Sequence, residues 1–532
     1  LAQYHRRFGP SWYSFSNGPI HYIILNTQIM NTPLGVEQRV WLETELQKHD
    51  AQRLFVFLHL PPYLWDPAEP HRGHYDNLGQ PDRTWLLQLL SLHRVERLFA
   101  GHVHFAFCDR LGSLQYTIVP STSFTRPGFG HLFTSAPAPE QGRDDAPKLG
   151  FYLCRVFDHR TDLHLIRTAG ETNFTATQLI TRTPAALQGA ALALTLTHPL
   201  CPTAEVPLAW PSVIRQRVRN DYPLLAVQEI GATSVRVPWT DIEDTLQRKR
   251  LQYLRAEGIA VQAFVPFDDA LDLHHLLDHY PDCADRWEVQ TTGEPMPDTT
   301  CLNLLADCSR RTPLSLSTIV PGERIAGKQH SRTRLGFRLQ ELATLNELLA
   351  DRALILDSAL CRIDAEDDPW TTVLRFRTLP RLSHIRRIDW LLTLPSRDDK
   401  AHARLAAEAL FATALLPDAQ LYVDPILDLD RTMDIANGVL DRLCNPRPIF
   451  HALRCLNTLL YAHRKTWVPE EREEKGVRIL ALRSEEHVLE LLLPEEPVRW
   501  TSASQRIYDL AGGTVAVDTD KTLIAGPSLV YT

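Results

Sequence analysis

The 532-residue sequence contains no CxxC pair, although it carries nine cysteines scattered singly between Cys108 and Cys455. An odd number of isolated thiols excludes a dense disulfide framework and fits a reducing compartment with free, mostly buried cysteines. Long hydrophobic runs are also missing. No stretch approaches the ~18 consecutive apolar residues of a membrane helix, so no contact with a membrane is expected. Nor is there an excess of basic charge. The formal net charge is −8 and spread along the chain, which argues for solubility and against a nucleic-acid-binding face. The chain opens Leu1-Ala2-Gln3-Tyr4, with no initiator Met, charged n-region or apolar h-region, and so does not start as a signal peptide. This start reads as the interior of a domain. The natural protein is therefore expected to extend further at its N-terminus. A cytoplasmic setting is expected, with secretion left open.

What is present is an ordinary globular composition, 44% hydrophobic and 23% charged, long enough for roughly three domains. Residues 1–170 alternate strands and helices. The β-branched run Ile20–Asn26, Arg53–His59 and Val95–Ala100 read as buried strands of a sheet covered on both faces. Val36–Lys48 reads as an amphipathic helix with Val36, Val40 and Leu46 among its apolar positions. Asp82 is placed to N-cap a helix running to about His93. A polar, Pro-rich loop is expected over 134–148, then two closing strands over 150–168 and a linker over 171–189. From 190 to 470 eight candidate strands alternate with helices such as Asp241–Glu257 and Leu335–Ala350. They are Leu192–His198, Thr233–Val237, Ile259–Val265, Arg286–Thr291, Leu314–Val320, Ala353–Leu360, Arg387–Leu394 and Gln420–Leu427. Eight βα units fit a (β/α)8 barrel. Residues 471–532, with a turn at Gly512–Gly513, read as a small antiparallel β module.

Three histidines stand out by position. His59 ends one apolar strand ahead of Pro61 and Pro62. His102 and His104 follow the next strand in Phe99-Ala-Gly-His-Val-His104. A strand end is a rigid platform, Gly101 permits a tight turn, and neutral imidazole is the commonest metal ligand. Each histidine alone is more often an ordinary core or surface residue; the combination carries the signal.

Here the sequence resembles the calcineurin-like metallophosphoesterases, in particular their purple-acid-phosphatase-like branch. The resemblance runs through FGPSWYSFSNGPIHYIILNT, EQRVWLETELQ, FLHLPPY and FAGHVH, over about residues 1–170. It implies that His59 and His102 share one divalent transition metal (Mn, Fe or Zn), and that His104 binds a second. It also implies hydrolysis of a phosphate ester or other small-molecule phosphoester substrate by a two-metal mechanism, with the cations about 3.5–4 Å apart. The family's Asp-x-His, GDxxD and Asn-His motifs precede the segment matching Leu1–Phe15 and have no counterpart there. The metal set is thus expected to be incomplete in this chain, with no catalytic residue beyond the metal ligands and weak activity alone. Arg72, His74 and Tyr75, in the polar segment between the two histidine motifs, are candidate substrate contacts.

The second half resembles a clan-A glycoside hydrolase barrel with its C-terminal β module. The likeness rests on Trp287-Glu-Val, Gly293-Glu-Pro295 and Asn445-Pro-Arg-Pro448. It makes Glu294, after the fourth strand, the candidate acid/base. Retaining glycosidases need a second carboxyl about 5–5.5 Å away, and the seventh strand ends WLLTLPSR without one. Glu323, Asp424 and Asp428 are displaced substitutes, and Trp239 and Trp287 could serve as apolar sugar platforms or as core packing. The fold expected is therefore α/β: a partial metallophosphoesterase β-sandwich with flanking helices, a (β/α)8 barrel, and the β module. The function expected is phosphoester hydrolysis with an accessory, degenerate glycosidase-like barrel. The alternative is a carbohydrate-active or carbohydrate-binding barrel fused to a phosphoesterase remnant. A non-catalytic interaction protein is the third class.

Overall fold

The computed structural model describes the chain except residues 1, 28–33, 50–51, 70–75, 126–145, 170–176, 179–189, 197–199, 208–214, 268–272, 324–331, 364–366, 395–397, 429–436, 462–465, 502–505, 517–521 and 532. The chain divides into two compact units. One comprises Leu1–Thr172 and Cys201–Leu225; the other comprises Asn173–Leu200 and Ala226–Thr532.

The first unit begins with the short helix α1 (Ala2–Phe8) and the hairpin β1 (Tyr13–Asn17) and β2 (Ile20–Ile24). Helix α2 (Val36–Lys48), β3 (Arg53–Phe57), α3 (Asp82–Leu92), β4 (Arg97–Ala100), β5 (Phe107–Leu111) and β6 (Leu114–Ile118) follow. The sheet order is β1-β2-β3-β4-β6-β5. The four inner strands are parallel, and β1 and β5 are antiparallel edges. Because side chains alternate across a strand, Ile20, Phe55 and Phe99 share one face. There Val156 and Leu163 of the antiparallel pair β7 (Gly150–Val156) and β8 (Thr161–Arg167) pack against them. Leu54, Val56 and Leu98 turn the other way and are fully buried. That face carries α2, whose Glu45 meets His21 of β2.

The face of α2 differs from the expectation. Val36 and Val40 are exposed, while Gln38, Leu42, Glu45 and Leu46 are buried. Gln38 earns its burial by bonding Asn26 through both its amide oxygen (2.8 Å) and its amide nitrogen (3.0 Å), and Glu45 is bonded as described below. Satisfied polar groups displace apolar ones from an inward position. Asp82 starts α3 without capping it. Its carboxylate instead accepts from Leu34 N at 2.5 Å and pairs with Arg39.

In the second unit all eight expected strands form. They are Leu192–Thr195, Ser234–Pro238, Ala260–Pro266, Arg286–Thr292, Leu314–Glu323, Leu356–Ile363, Ile385–Thr393 and Leu421–Asp424. Consecutive strands pair in parallel, and the first pairs with the eighth, so the sheet closes into a barrel. An additional strand, Arg332–Leu335, pairs antiparallel with the fifth. It occupies the start of the helix expected from Leu335, which begins instead at Leu342. The helix expected over Asp241–Glu257 breaks at Asp244, whose carboxylate caps Thr245–Ala256 by accepting from Leu246 N and Gln247 N. Local capping here wins over helix continuity.

The C-terminal module is an antiparallel sheet around Val477, Ile479, Leu492, Ile507 and Val530. Its last strand is Thr177–Gln178, which lies within the expected linker and pairs with Thr514–Val515. Seven of the nine cysteines are buried, and none is in a disulfide. Among the described residues no helix is long and apolar enough to cross a membrane.

Candidate metal centre

The inner strands of the first unit end together, and backbone hydrogen bonds continue their pairing past the last strand residues. Leu25 N donates to Phe57 O (2.8 Å), Leu58 N to Phe99 O (3.0 Å) and Gly101 N to His59 O (3.1 Å). Parallel pairing therefore delivers His59 and His102 side by side at the carboxyl ends of β3 and β4, where open α/β sheets hold ligands. His59 Nε2 lies 3.0 Å from His102 Nδ1, with the rings edge to face.

The turn after β4 is unusual. His102 and His104 both take left-handed backbone angles, φ 71° and 57°. Non-glycine residues reach this region at a cost of about 1 kcal/mol or more each, and such outliers gather at functional sites. Val103 N donates to Gly101 O within the turn (2.9 Å). Leu60 N donates to the hydroxyl of buried Thr27, beyond β2, at 2.9 Å. The His104 ring packs edge-on against Phe124 at 4.5 Å. His102 is buried, His104 half-buried, and His59 stands at the accessible rim. Partial burial, then the nearby His104, holds the His59 imidazole below its ordinary pKa, favouring the neutral form that offers a lone pair.

A cation with nitrogen ligands at about 2.1 Å places neighbouring ligand atoms roughly 3.0–3.4 Å apart. The His59–His102 separation fits that spacing, so the donor set suits one shared divalent cation, with His104 on the same turn. Arg72, His74 and Tyr75 lie outside the described residues.

A brace on this turn was not read from the sequence. The hairpin Thr203–Pro207 and Arg215–Arg219 carries Arg219, Asn220, Asp221 and Tyr222 to the segment after His104. Tyr222 Oη accepts from Ala106 N (3.2 Å) and Asp221 Oδ2 from Cys108 N (3.3 Å). Arg219 donates to Cys108 O (3.1 Å) and Trp65 O (2.7 Å).

In the barrel, the carboxylates are mostly engaged. Glu288, fully buried in the fourth strand, accepts from Arg236 twice (2.7 and 2.8 Å), Gln262 (2.7 Å), Gln290 (3.1 Å) and Ser317 (2.6 Å). Burial works to raise its pKa, but Arg236 and these hydrogen bonds prevail and lower it. Asp389 of the seventh strand pairs with Arg286 (3.0 Å) and Arg387 (3.2 Å). Asp428 accepts from Gly438 N (2.5 Å) and pairs with Arg447, so it is no spare carboxylate. Asp424 ends the eighth strand; burial, and then Glu288, raise its carboxyl against the pull of Arg236. Glu294 is exposed after the fourth strand. The side chain of Glu323 lies outside the described residues. Trp287 is fully buried, so it belongs to the core and offers no platform; Trp239 is half-buried.

Fold and site together define an α/β chain whose first unit gathers histidines at the carboxyl ends of a mainly parallel sheet and whose second unit holds a closed eight-stranded parallel barrel. The chain matches no family model. It has weak homology to two phosphatases over 113 residues. It is 29% identical to human serine/threonine-protein phosphatase CPPED1, covering 20% of this chain and 35% of the relative. It is 31% identical to purple acid phosphatase 23 of Arabidopsis thaliana, covering 20% of this chain and 23% of the relative. The chain thus spans about a third or less of these curated relatives. Among solved structures, a family 39 glycoside hydrolase from Bacteroides cellulosilyticus WH2 aligns over 69% of this chain and 86% of its own, at 11% identity and TM-score 0.42. Yellow lupin purple acid phosphatase PPD1 aligns over 31% of each chain, at 18% identity and TM-score 0.21.

Proposed function

We propose that the first unit is a metal-dependent phosphoesterase unit in which His59 and His102 hold one divalent cation and His104 holds its neighbour. The observation that carries this reading is the 3.0 Å approach of His59 Nε2 to His102 Nδ1 at the ends of two adjacent parallel strands. The weak phosphatase homology supports it. A bound cation pair supplies Lewis-acid polarisation of a phosphoryl oxygen and a nucleophilic water at neutral pH. The chain's own contribution is positional. The paired strand ends fix His59 against His102, and the low pKa of His59 keeps its lone pair available.

The barrel, on the same reading, binds or positions and does not hydrolyse. Hydrolysis needs two available carboxyls at short range, whereas Glu288, Asp389 and Asp428 are committed to arginines.

The test is metal analysis of the purified protein beside its His59→Ala, His102→Ala and His104→Ala variants, with hydrolysis of an activated phosphate ester followed in parallel. Loss of turnover and of the metal held by these histidines is expected, with the melting of the metal-free protein unchanged. Active protein free of all three metals, or turnover indifferent to all three substitutions, overturns the reading.

A further inference from the structure

We propose a second divalent-cation site, of the kind that takes zinc, built by His21, Glu45 and His49. It lies on the helix-bearing face of the sheet, away from the His59–His102 pair at the strand ends.

His21 sits in β2, Glu45 lies in the last turn of α2, and His49 directly follows that helix. Positions i and i+4 of a helix stand on one face, so Glu45 and His49 point the same way, toward β2. His21 Nε2 lies 3.2 Å from Glu45 Oε1, and His49 Nε2 lies 3.5 Å from the same oxygen. The two imidazoles run side by side, 3.6 Å between centroids and 15° between planes. One donor atom from each residue falls within 4.8 Å of the other two. Tetrahedral zinc with ligands at 2.0–2.1 Å sets its ligand atoms about 3.3–3.4 Å apart. The two measured separations bracket that value.

The surrounding hydrogen bonds set the ligands for coordination. His49 Nδ1 faces the side-chain oxygen of Gln52 at 3.2 Å. An amide oxygen only accepts, so Nδ1 donates there, and in the neutral ring Nε2 is the nitrogen that offers a lone pair toward Glu45. Ser16 Oγ meets His21 Nδ1 at 2.8 Å, a contact in which the hydroxyl can accept from Nδ1 when Nε2 binds a cation. Ser14 Oγ donates to Glu45 Oε1 at 2.5 Å. Ligating histidines characteristically bond a second group through the other ring nitrogen, and both do so here. Two imidazole nitrogens and a carboxylate oxygen thus gather at ligand spacing, with Lys48 Nζ 3.6 Å from the other carboxylate oxygen, and a cation would take the place of the proton between His21 and Glu45. Two histidines and one glutamate form a recognised zinc donor set that leaves the fourth position open to water. His21 and Glu45 are buried, while His49 is half-exposed and opens a route to solvent. Bound metal would tie β2 to the C-terminal end of α2.

A single proton shared between His21 and Glu45 is the competing account, and metal binding separates the two. The experiment uses the whole chain carrying His59→Ala, His102→Ala and His104→Ala, titrated at neutral pH with Zn(II), and with Co(II) as a spectroscopic probe. About one equivalent of metal is expected to bind, with the visible absorption of low-coordinate Co(II) and a melting temperature that rises with metal concentration. Adding His49→Ala should weaken binding at least about tenfold and remove that absorption. His49 is half-exposed, so this variant keeps the fold. In the otherwise unaltered chain, His49→Ala should lower the zinc content by one equivalent. Absence of zinc binding in the triple variant, or binding unaffected by both His49→Ala and Glu45→Gln, overturns the site.

Discussion

Arg219 and Asp221, two residues apart and both buried, face each other through two hydrogen bonds of 2.7 and 2.9 Å. The pair spans the hairpin and the segment that follows His104, and Arg219 also lies over the Phe107 ring at 4.3 Å. Removing the guanidinium strands a buried carboxylate, which costs about 3–5 kcal/mol. Arg219→Ala should therefore lower unfolding free energy by about that amount. Arg219→Lys should recover only part, because a single ammonium cannot reproduce the forked contact. Chemical denaturation measures both. A loss of under about 1 kcal/mol for Arg219→Ala contradicts the bracing role.

His59 stands at the accessible rim, so its side chain contributes little to stability. His59→Ala should cost less than about 0.5 kcal/mol in unfolding free energy while lowering metal affinity about tenfold or more. A calorimetric metal titration run beside thermal melting reads both numbers from the same preparation.

Glu408 is buried beside Asp368, and Arg478 bridges them at 3.0 and 2.8 Å. Burial first, and then the Asp368 charge, lift the Glu408 carboxyl from an ordinary 4.5 to about 7. A raised acid pKa stabilises the fold below the unfolded value, and that contribution is lost as pH climbs to the folded value. Asp368 works in the opposite sense. Burial opposes the shift, but the Thr371 backbone N–H and the other polar partners lower its pKa, so its contribution fades only as pH falls through the acid range. Between about pH 4.5 and 7 the melting temperature should therefore decline as pH rises. Glu408→Gln should flatten this slope, and an unchanged slope in that variant would show that the titration belongs elsewhere.

Glu288 and Glu294 make opposite predictions for the fourth barrel strand. Glu288→Ala leaves Arg236 buried and unpaired and should cost about 3–5 kcal/mol. Glu294→Gln, at an exposed position, should change stability by under about 0.5 kcal/mol and leave aryl-glycoside turnover at background, as in the unaltered chain. Turnover in the unaltered chain that disappears in Glu294→Gln would make the barrel a glycosidase.

The eight barrel strands were legible from the regular alternation of strand-like and helix-like segments, although the sixth, Leu356–Ile363, carries Asp357, Ser358 and Arg362 and lies three residues beyond the expected Ala353–Leu360. His59, His102 and His104 were legible because strand ends and a Gly-His-x-His turn are local features. Four things were not legible. The hairpin around Thr203–Pro207 buries Gln216 and Arg219, so its polar sequence gives no strand signal. The exposed Val36 and Val40 of α2 mislead a periodic reading, since the true inner face is completed by Gln38 and Glu45. His21 and His49 come together only through the packing of α2 on β2, and no spacing rule reaches across that distance. Thr177–Gln178 reads as linker because two residues carry too little pattern to announce a strand.

The division of the chain has a further consequence. The path leaves the first unit after Thr172, supplies the opening barrel strand, returns for Cys201–Leu225, and only then completes the barrel. Neither unit is one uninterrupted stretch of gene. A cut between them at any single position removes the brace around Arg219 from the histidine turn or takes the opening strand from the barrel. A contiguous fragment taken for either unit alone therefore lacks part of that unit or carries part of the other.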